Sequence, residues 1–426
     1  MLGTQTLTAQ NMSAGLQEYI EKKFEQVYQQ ETDFLPLIQK VGDETPTNFR
    51  GRRVPIELGA NPSLAFNNPA SGILATPGAP NNNFLSIRYQ VLSAGIQADY
   101  EAVMNNGQNP VEDTLKRTVD NTVRQVNKWL NIYASNGNGT TAIATLSAAP
   151  SGATVTCNNA TDSFGATQVL RNQRVLIYDA TGTTQRVAGS GAGSLTVLST
   201  TGTTVTFTSN APTDAIAGDI IVPEGLTVGI KGVPFIVNNS GNYFGLDRTA
   251  NPNLQSTVIN AAGALTAGLL MRTYNSVYQK AGTKGQGDLE MFFSAAQHTA
   301  YYNLTAQSGF STQYIHSGSD RPALDVGGKS IEFSFFGTPM HRMIDFRGDS
   351  INFLNPAYIK VAMLKSMGKM LNMPAGDWIQ AIDAAGNYVA AKQQWQDVAL
   401  DIYSPAPHRH GVLTGLSLTG LPLQKG

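Results

Sequence analysis

Apolar positions recur along this chain with two different periods. Between residues 13 and 31, Leu16, Ile20, Phe24 and Val27 fall at steps of four, four and three, opposite Glu18, Glu21, Lys22, Lys23 and Glu25. That spacing predicts an amphipathic helix, which Pro36 stops. Its single apolar stripe must pack on something distant in sequence, or on a neighbouring molecule. Over residues 51–98 the period changes to two. Val54, Ile56 and Leu58 alternate with Arg53 and Glu57, and Leu85, Ile87, Tyr89 and Val91 with Ser86, Arg88 and Gln90. Two strands are expected, joined by an Asn-, Pro- and Gly-rich loop from Gly59 to Asn83. Long structureless loops in compact domains are usually functional, and an isolated two-stranded ribbon is marginal in water. No obvious partner for the ribbon is visible elsewhere in the sequence. The expectation is a hairpin that reaches onto an adjacent copy through Val54, Ile56, Leu58, Leu64, Phe66, Ile73, Leu74, Phe84, Ile87 and Tyr89. The plainer alternative is a surface hairpin packed on its own domain.

A long helix follows. Asn109 suits the N-cap, Pro110 the first helical position and Glu112 a capping box. Val111, Leu115, Val119, Val123, Val126, Leu130 and Tyr133 then keep a four-or-three spacing until Gly137 and Gly139 end it. About 26 residues at a rise of roughly 1.5 Å make a rod of about 39 Å. Lys116, Arg117, Arg124 and Lys128 gather along it, either as a solvated face or as an inward basic face. From residue 141 to 224 the chain turns rich in Thr, Ser, Gly, Ala and Val. Short strands are expected at Val175–Tyr178, Gln185–Ala188, Leu195–Leu198, Val205–Thr208 and Asp219–Val222. Their spacing is that of a small β-barrel or sandwich inserted into the rest. Beyond it, residues 259–280 read as a helix, and Ser294 with Gln297 as a capping box. Ile331–Phe336, Pro339–Ile344, Ile351–Leu354, Trp378–Ala381 and Tyr388–Tyr403 read as strands, the last two joined by an Asp383–Asn387 turn. The class is α+β.

Composition narrows the function. The 426 residues suggest two to four structural units, and only 14% are charged, against about a quarter in average soluble proteins. Other protein chains are the expected cover for such a charge-poor surface. A net charge of −1 argues against a dedicated nucleic-acid binder but leaves room for weak, non-specific contact with DNA. The lone Cys157 excludes a disulfide framework and a multi-cysteine zinc site, consistent with a reducing cytoplasm. Neither a signal peptide nor a membrane-length apolar run is expected. His408-Arg409-His410 could supply half a metal site but has no nearby Cys, Asp or Glu to complete it. Gly189-Ser190-Gly191-Ala192-Gly193 lacks nucleotide-loop spacing. No catalytic residue, metal or cofactor is expected. Asp247-Arg248 suggests an ion pair, between subunits or local, and Gly137-Asn138-Gly139 and Gly327-Gly328 suggest hinges.

The order of these segments resembles the tailed-bacteriophage major capsid fold, named after a Hong Kong coliphage and shared with encapsulins. Three phrases carry the resemblance beyond the element order. Leu130-Asn131-Ile132-Tyr133 followed by Gly137-Asn138-Gly139 is similar to the family's helix exit. Tyr243-Phe244-Gly245-Leu246-Asp247-Arg248, with Asn251-Pro252, is similar to an A-domain segment. Phe336-Gly337-Thr338-Pro339-Met340, with Ile351-Asn352-Phe353-Leu354-Asn355-Pro356, is similar to its Gly-x-Pro hairpin. The resemblance covers nearly all the chain outside the insertion. It implies an N-terminal arm (1–47, with Leu16, Ile20, Phe24 and Val27 as contacts) and an extended hairpin loop (48–97). A P-domain spine helix (98–140), an inserted β domain (141–224), an A-domain (225–375) and P-domain closing strands (376–426) would follow. It further implies self-assembly through pentamers and hexamers into an icosahedral phage head in the bacterial cytoplasm. Portal and cement or decoration proteins would be partners, and packaged DNA would lie near Lys116, Arg117, Arg124 and Lys128. Because the chain opens almost directly at the arm, a separate scaffolding protein is expected. No lysine lies between Lys40 and Lys116, so the hairpin loop cannot supply the amine of the intersubunit isopeptide bond some members form. The alternatives are an encapsulin-like compartment and a β-rich surface binding protein.

Overall fold

The structure is a computed structural model that describes residues 33–42, 51–61, 63, 78–99, 114–158, 165–189, 193–225, 227–282, 289–307, 334–335, 338–363, 379–382 and 388–421. The expected arm helix, the cap at 109–112, the Gly327-Gly328 junction and the Asp383–Asn387 turn lie outside these residues. Contacts divide the chain into two units. The first joins segments 1–31, 92–128 and 366–398. It holds most of strand Gln90–Asp99, strand Ile379–Ile382 and the first part of the long strand Tyr388–Tyr403, with which both pair. It also holds the start of the helix Thr114–Asn136.

The second unit holds the rest, including two six-stranded sheets and three two-stranded ones. Residues 144–223 build a six-stranded sheet in the order Ala144–Thr145, Ile220–Pro223, Arg174–Tyr178, Leu195–Thr200, Thr204–Phe207, Thr154–Thr156. Its outer strands meet through the antiparallel bridge Leu146–Cys157, so the sheet closes on itself as a barrel. Closure satisfies the backbone groups an open edge would expose. Inward alternation fills the cylinder with Ile143, Val155, Val175, Ile177, Val197 and Phe207, and Trp129 packs against this core from the long helix. Gln185–Ala188 is not a strand: a single bridge from Gln185 to Tyr178 is its only ladder contact. Arg186 instead forks onto Asp219 at 2.9 and 3.1 Å and ties the segment down by its side chain.

A second six-stranded sheet runs Thr257–Gly263, Gly411–Leu416, Ile351–Leu354, Glu290–Ser294, Thr338–Met343, Ser334–Phe335, with parallel and antiparallel pairs mixed. Helix Ala267–Ala281 buries Leu270, Tyr274 and Val277 in the core it shares with this sheet. The helix expected from residue 259 therefore starts later. Thr257–Gly263 is a strand because Gly411–Leu416, far along the chain, offers it a parallel ladder. Thr266 caps the helix instead, accepting from the Leu269 amide at 3.2 Å. Helix Ala295–Gln307 opens on Ser294, which accepts from the Gln297 amide. Gln297 does not complete the box, because its side chain donates to the Gly348 carbonyl at 2.8 Å. Gln39–Gly42 and Lys360–Met363 form a parallel pair, which the end of Tyr388–Tyr403 extends antiparallel.

Candidate assembly surface

The hairpin forms as its alternation predicts. Arg52–Gly59 and Asn81–Ile87 pair antiparallel, with Val54 opposite Leu85 and Pro55 opposite Phe84. Register divides the ribbon into two faces. Leu58, Leu85 and Ile87 are buried, and Val54, Ile56 and Tyr89 pack beside them against Tyr243, Phe244, Leu254, Ala362 and Tyr403. The expectation that the ribbon has no partner in its own chain is thus corrected. Leu58 and Ile87 are enclosed by their own chain and cannot also be covered by a neighbour. The opposite face presents Arg53, Pro55, Glu57, Asn82, Ser86 and Phe84 to solvent, and Phe84 is 55% exposed. Leu64, Phe66, Ile73 and Leu74, like Leu16, Ile20, Phe24 and Val27, lie outside the described residues.

The seat under the hairpin is a small strained structure. Asn242–Tyr243 and Leu246–Asp247 are joined by Phe244 at φ 48° and Gly245 at φ 100°, both left-handed, as a two-residue type I′ turn requires. A phenylalanine there costs about 1–3 kcal/mol and persists only where its surroundings hold it. Here the Ser86 amide donates to its carbonyl at 3.0 Å, and its ring meets Tyr243 and Phe235 edge-on at 4.9 and 5.3 Å. Arg248 braces the turn from beneath. It is 1% exposed, lies over the Tyr243 ring at 4.5 Å and donates to the carbonyls of Phe235, Ile236 and Asn238. Burial pulls its guanidinium down to about 10. Asp247 and Arg248 are therefore not an ion pair: Asp247 is exposed and holds the Thr249 amide at 2.8 Å, while the cation points inward. Asn253 adds a tie to the hairpin, donating to the Leu58 carbonyl at 2.6 Å. Sequence reasoning had Tyr243 and Phe244 only as a family phrase. The Gly after two aromatics was the available sign of a turn.

The helix exit is a second junction. Asn131, fully buried, donates to Asp33 at 2.9 Å and Asp345 at 2.7 Å and accepts from the amides of Phe34 and Leu35. Phe34 inserts edge-on between Phe292 and Phe346. One amide thus joins the start of the described chain, the helix and the loop at 345. Gly137 is wedged rather than hinged: a Cβ there would lie 2.4 Å from the Tyr133 carbonyl and 2.6 Å from that of Ile230. The basic face is not continuous. Arg124 is exposed, but Lys128 is only 7% exposed, because the last helical turns are enclosed, so it cannot face DNA. The side chains of Lys116 and Arg117 are outside the described set. His408 and His410 do not share a face, since Pro407–Arg409 is a 3-10 turn rather than a strand. His408 contacts the Asn253 carbonyl. His410, fully buried, accepts from the Asn355 amide through Nδ1 and meets Ser404 Oγ at 3.0 Å through Nε2.

No known family description and no curated protein matches the chain by sequence. Solved structures do match its fold. A chain of the cyanophage A-1(L) capsid asymmetric unit is 13% identical, with 93% of this chain and 96% of that chain covered at a TM-score of 0.53. The capsid chain of the native GTA particle is 9% identical, with 97% and 100% covered at 0.52. That of the empty GTA particle is 8% identical, with 98% and 100% covered at 0.50. The chain has a phage capsid fold of the Hong Kong coliphage type.

Proposed function

We propose that this chain is the major capsid protein of a tailed double-stranded DNA phage, a non-catalytic subunit that self-assembles into the icosahedral head. The observation that carries the reading is the reach of the fold match. It takes in 93–98% of this chain and 96–100% of each capsid chain at 13% identity or less, so what is shared is the architecture from end to end. Closed shells set one sequence into repeated, heterologous contacts. A hairpin seated firmly at its stem, with Phe84 and Pro55 turned outward, suits a contact made on a neighbour. In this reading residues 1–47 are the arm, 48–97 the hairpin loop, 98–140 the spine, 141–224 an inserted exterior barrel, 225–375 the A-domain and 376–426 the closing strands. The last division cuts through a sheet, since Gly411–Leu416 pairs within the A-domain. Pentamers and hexamers of the chain, a portal, a separate scaffold and a cement protein would complete the head, with packaged DNA making weak contacts inside.

Electron microscopy of the purified chain, alone and co-expressed with its scaffold, tests this. Closed shells of uniform diameter are expected. Discrete monomers under both conditions would overturn the reading.

A further inference from the structure

We propose that the cavity between the helix exit and the second six-stranded sheet is a binding site for an uncharged peptide-like ligand, a small branched aliphatic group beside a peptide group, with Asn352 and Ser350 as its hydrogen-bonding partners. The proposal goes beyond the shell reading and does not depend on it.

The cavity has a volume of about 220 Å³, roughly seven times the ~30 Å³ that a water molecule takes in the liquid. One wall is a face of the sheet. Strand register sets Asn352 opposite Val412 and Val412 opposite Val258, so the three stand in a row across three strands, and all line the cavity. Pro234 and Val237, from the short helix Val233–Ile236 and its end, line it too, with Ser135 from the last turn of the long helix. Asn352 is the polar member of an apolar row: Phe292, opposite it on the next strand, packs against Phe34 and Phe346. Asn352 and Ser350 are only 6% and 4% exposed, and neither side chain has a hydrogen-bond partner among the described residues. Both stand on the cavity wall, so a molecule inside the cavity can reach them. An enclosed amide or hydroxyl left unmet is destabilising, and a ligand there relieves it.

The lining narrows the class. Arg347, the cation on the wall, forks onto Asp349 with both bonds at 3.1 Å. Among the described residues the lining therefore carries no unmatched charge, which favours a neutral ligand. Ser135 donates its hydroxyl proton to the Asn131 carbonyl at 2.8 Å and is left to accept. Asn238, also on the wall, accepts the Asn239 and Ser240 amides on its oxygen at 2.7 and 3.3 Å, which leaves its NH2 to donate. Asn352 and Ser350 can do both. A peptide group brings one donor and one acceptor and matches this set. A hydrocarbon would leave Asn352 unmet, and a carboxylate or phosphate would bring a charge with nothing free to balance it. Val237, Val258 and Val412 supply the contact that a branched aliphatic group needs.

Methyl NMR of the unassembled full-length chain, isotope-labelled at valine and titrated with N-acetyl-L-valine N-methylamide, reads this directly. N-acetyl-L-valine, whose free carboxylate is charged at neutral pH, is the second arm. Saturable shifts of the Val237, Val258 and Val412 methyls are expected, with Val197 and Val205 in the barrel core unmoved. Asn352→Leu, which keeps the branch and removes the amide, should weaken binding by about tenfold, as a peptide group left unpaired implies. Ser350→Ala should weaken it less. Circular dichroism establishes that each variant is folded. If Asn352→Leu is not, Val258→Met, which fills the cavity from the sheet side, takes its place and should abolish binding. The proposal is overturned by absence of saturable shifts in the wild-type chain, or by unchanged affinity in the folded Asn352→Leu or Val258→Met variant. Equal affinity for the charged N-acetyl-L-valine would overturn the assigned class.

Discussion

Asp401 is completely enclosed, and its carboxylate lies 3.1 Å from the Lys231 ammonium while accepting from the Lys231 amide at 2.9 Å. Burial raises its pKa to about 6, with Lys231 pulling the other way. The folded state therefore holds this proton over a range, roughly pH 4 to 6, where the unfolded chain has lost it. That contribution to stability is complete below the unfolded value and is lost as pH rises through 6. His410 works in the opposite direction. Burial and neighbouring cations lower it to about 3, so its contribution is present above the ordinary imidazole range and is lost as pH falls toward 3. Urea midpoints of the unassembled chain between pH 3.5 and 7 should separate the two. Asp401→Asn should lose stability more steeply on acidification than the wild type. His410→Gln should lose it less steeply, although it starts from a lower value at pH 7. Parallel curves for all three proteins would mean that neither group titrates differently on folding. Neither environment was legible in the sequence. Asp401 reads as one polar position in an alternating strand, and its partner stands 170 residues away.

The hairpin shows how much an element's pattern can and cannot say. Alternation at Val54, Ile56 and Leu58 and at Leu85, Ile87 and Tyr89 located both strands and their apolar face. It could not say what covers that face, because the seat is made by Tyr243 and Phe244 in a strained turn far along the chain. The long helix erred in the other direction. Its stripe includes Val123, which is 41% exposed, and its cations include Lys128, which is buried. A periodic pattern ranks the faces of a helix without measuring how completely neighbours wrap each turn. Since the inner face of the hairpin is occupied at home, a contact on a neighbour in the proposed shell would fall on its outer face. Phe84→Asp should leave the stability of the chain within about 0.5 kcal/mol, as for other exposed positions, while blocking formation of closed shells. Sedimentation beside urea titration would show this. Intact shells from Phe84→Asp would remove the outer face from the contact.

The barrel was the segment most legible from composition, and its connection to the remainder gives the reason. Thr-, Val- and Gly-rich strands at short spacing are a local signal, and nearly every residue that buries them lies between 143 and 221. The mixed sheet was harder to read, because its strand Gly411–Leu416 arrives from near the C-terminal end of the chain and turns Thr257–Gly263 from expected helix into strand. The same contrast bears on autonomy. The chain enters and leaves the barrel through one antiparallel pair, Asn138–Thr140 with Val228–Lys231, and the Thr141 amide donates to the Thr227 carbonyl at 2.9 Å. Adjacent ends, a closed ladder and a self-contained core are what an independently folding module needs. Its main apolar debt to the remainder is Trp129, whose ring lies tilted 5.7 Å from that of Tyr133 and rests on the barrel core. Residues 141–227 expressed alone should therefore fold as a monomer with a single cooperative thermal transition. The complementary chain, with 142–226 replaced by a short Gly-rich turn, should retain the mixed sheet but expose Trp129, seen as a red shift of its fluorescence. A fragment 141–227 without a cooperative transition would mean that the helix exit completes the barrel, and that the two must fold together.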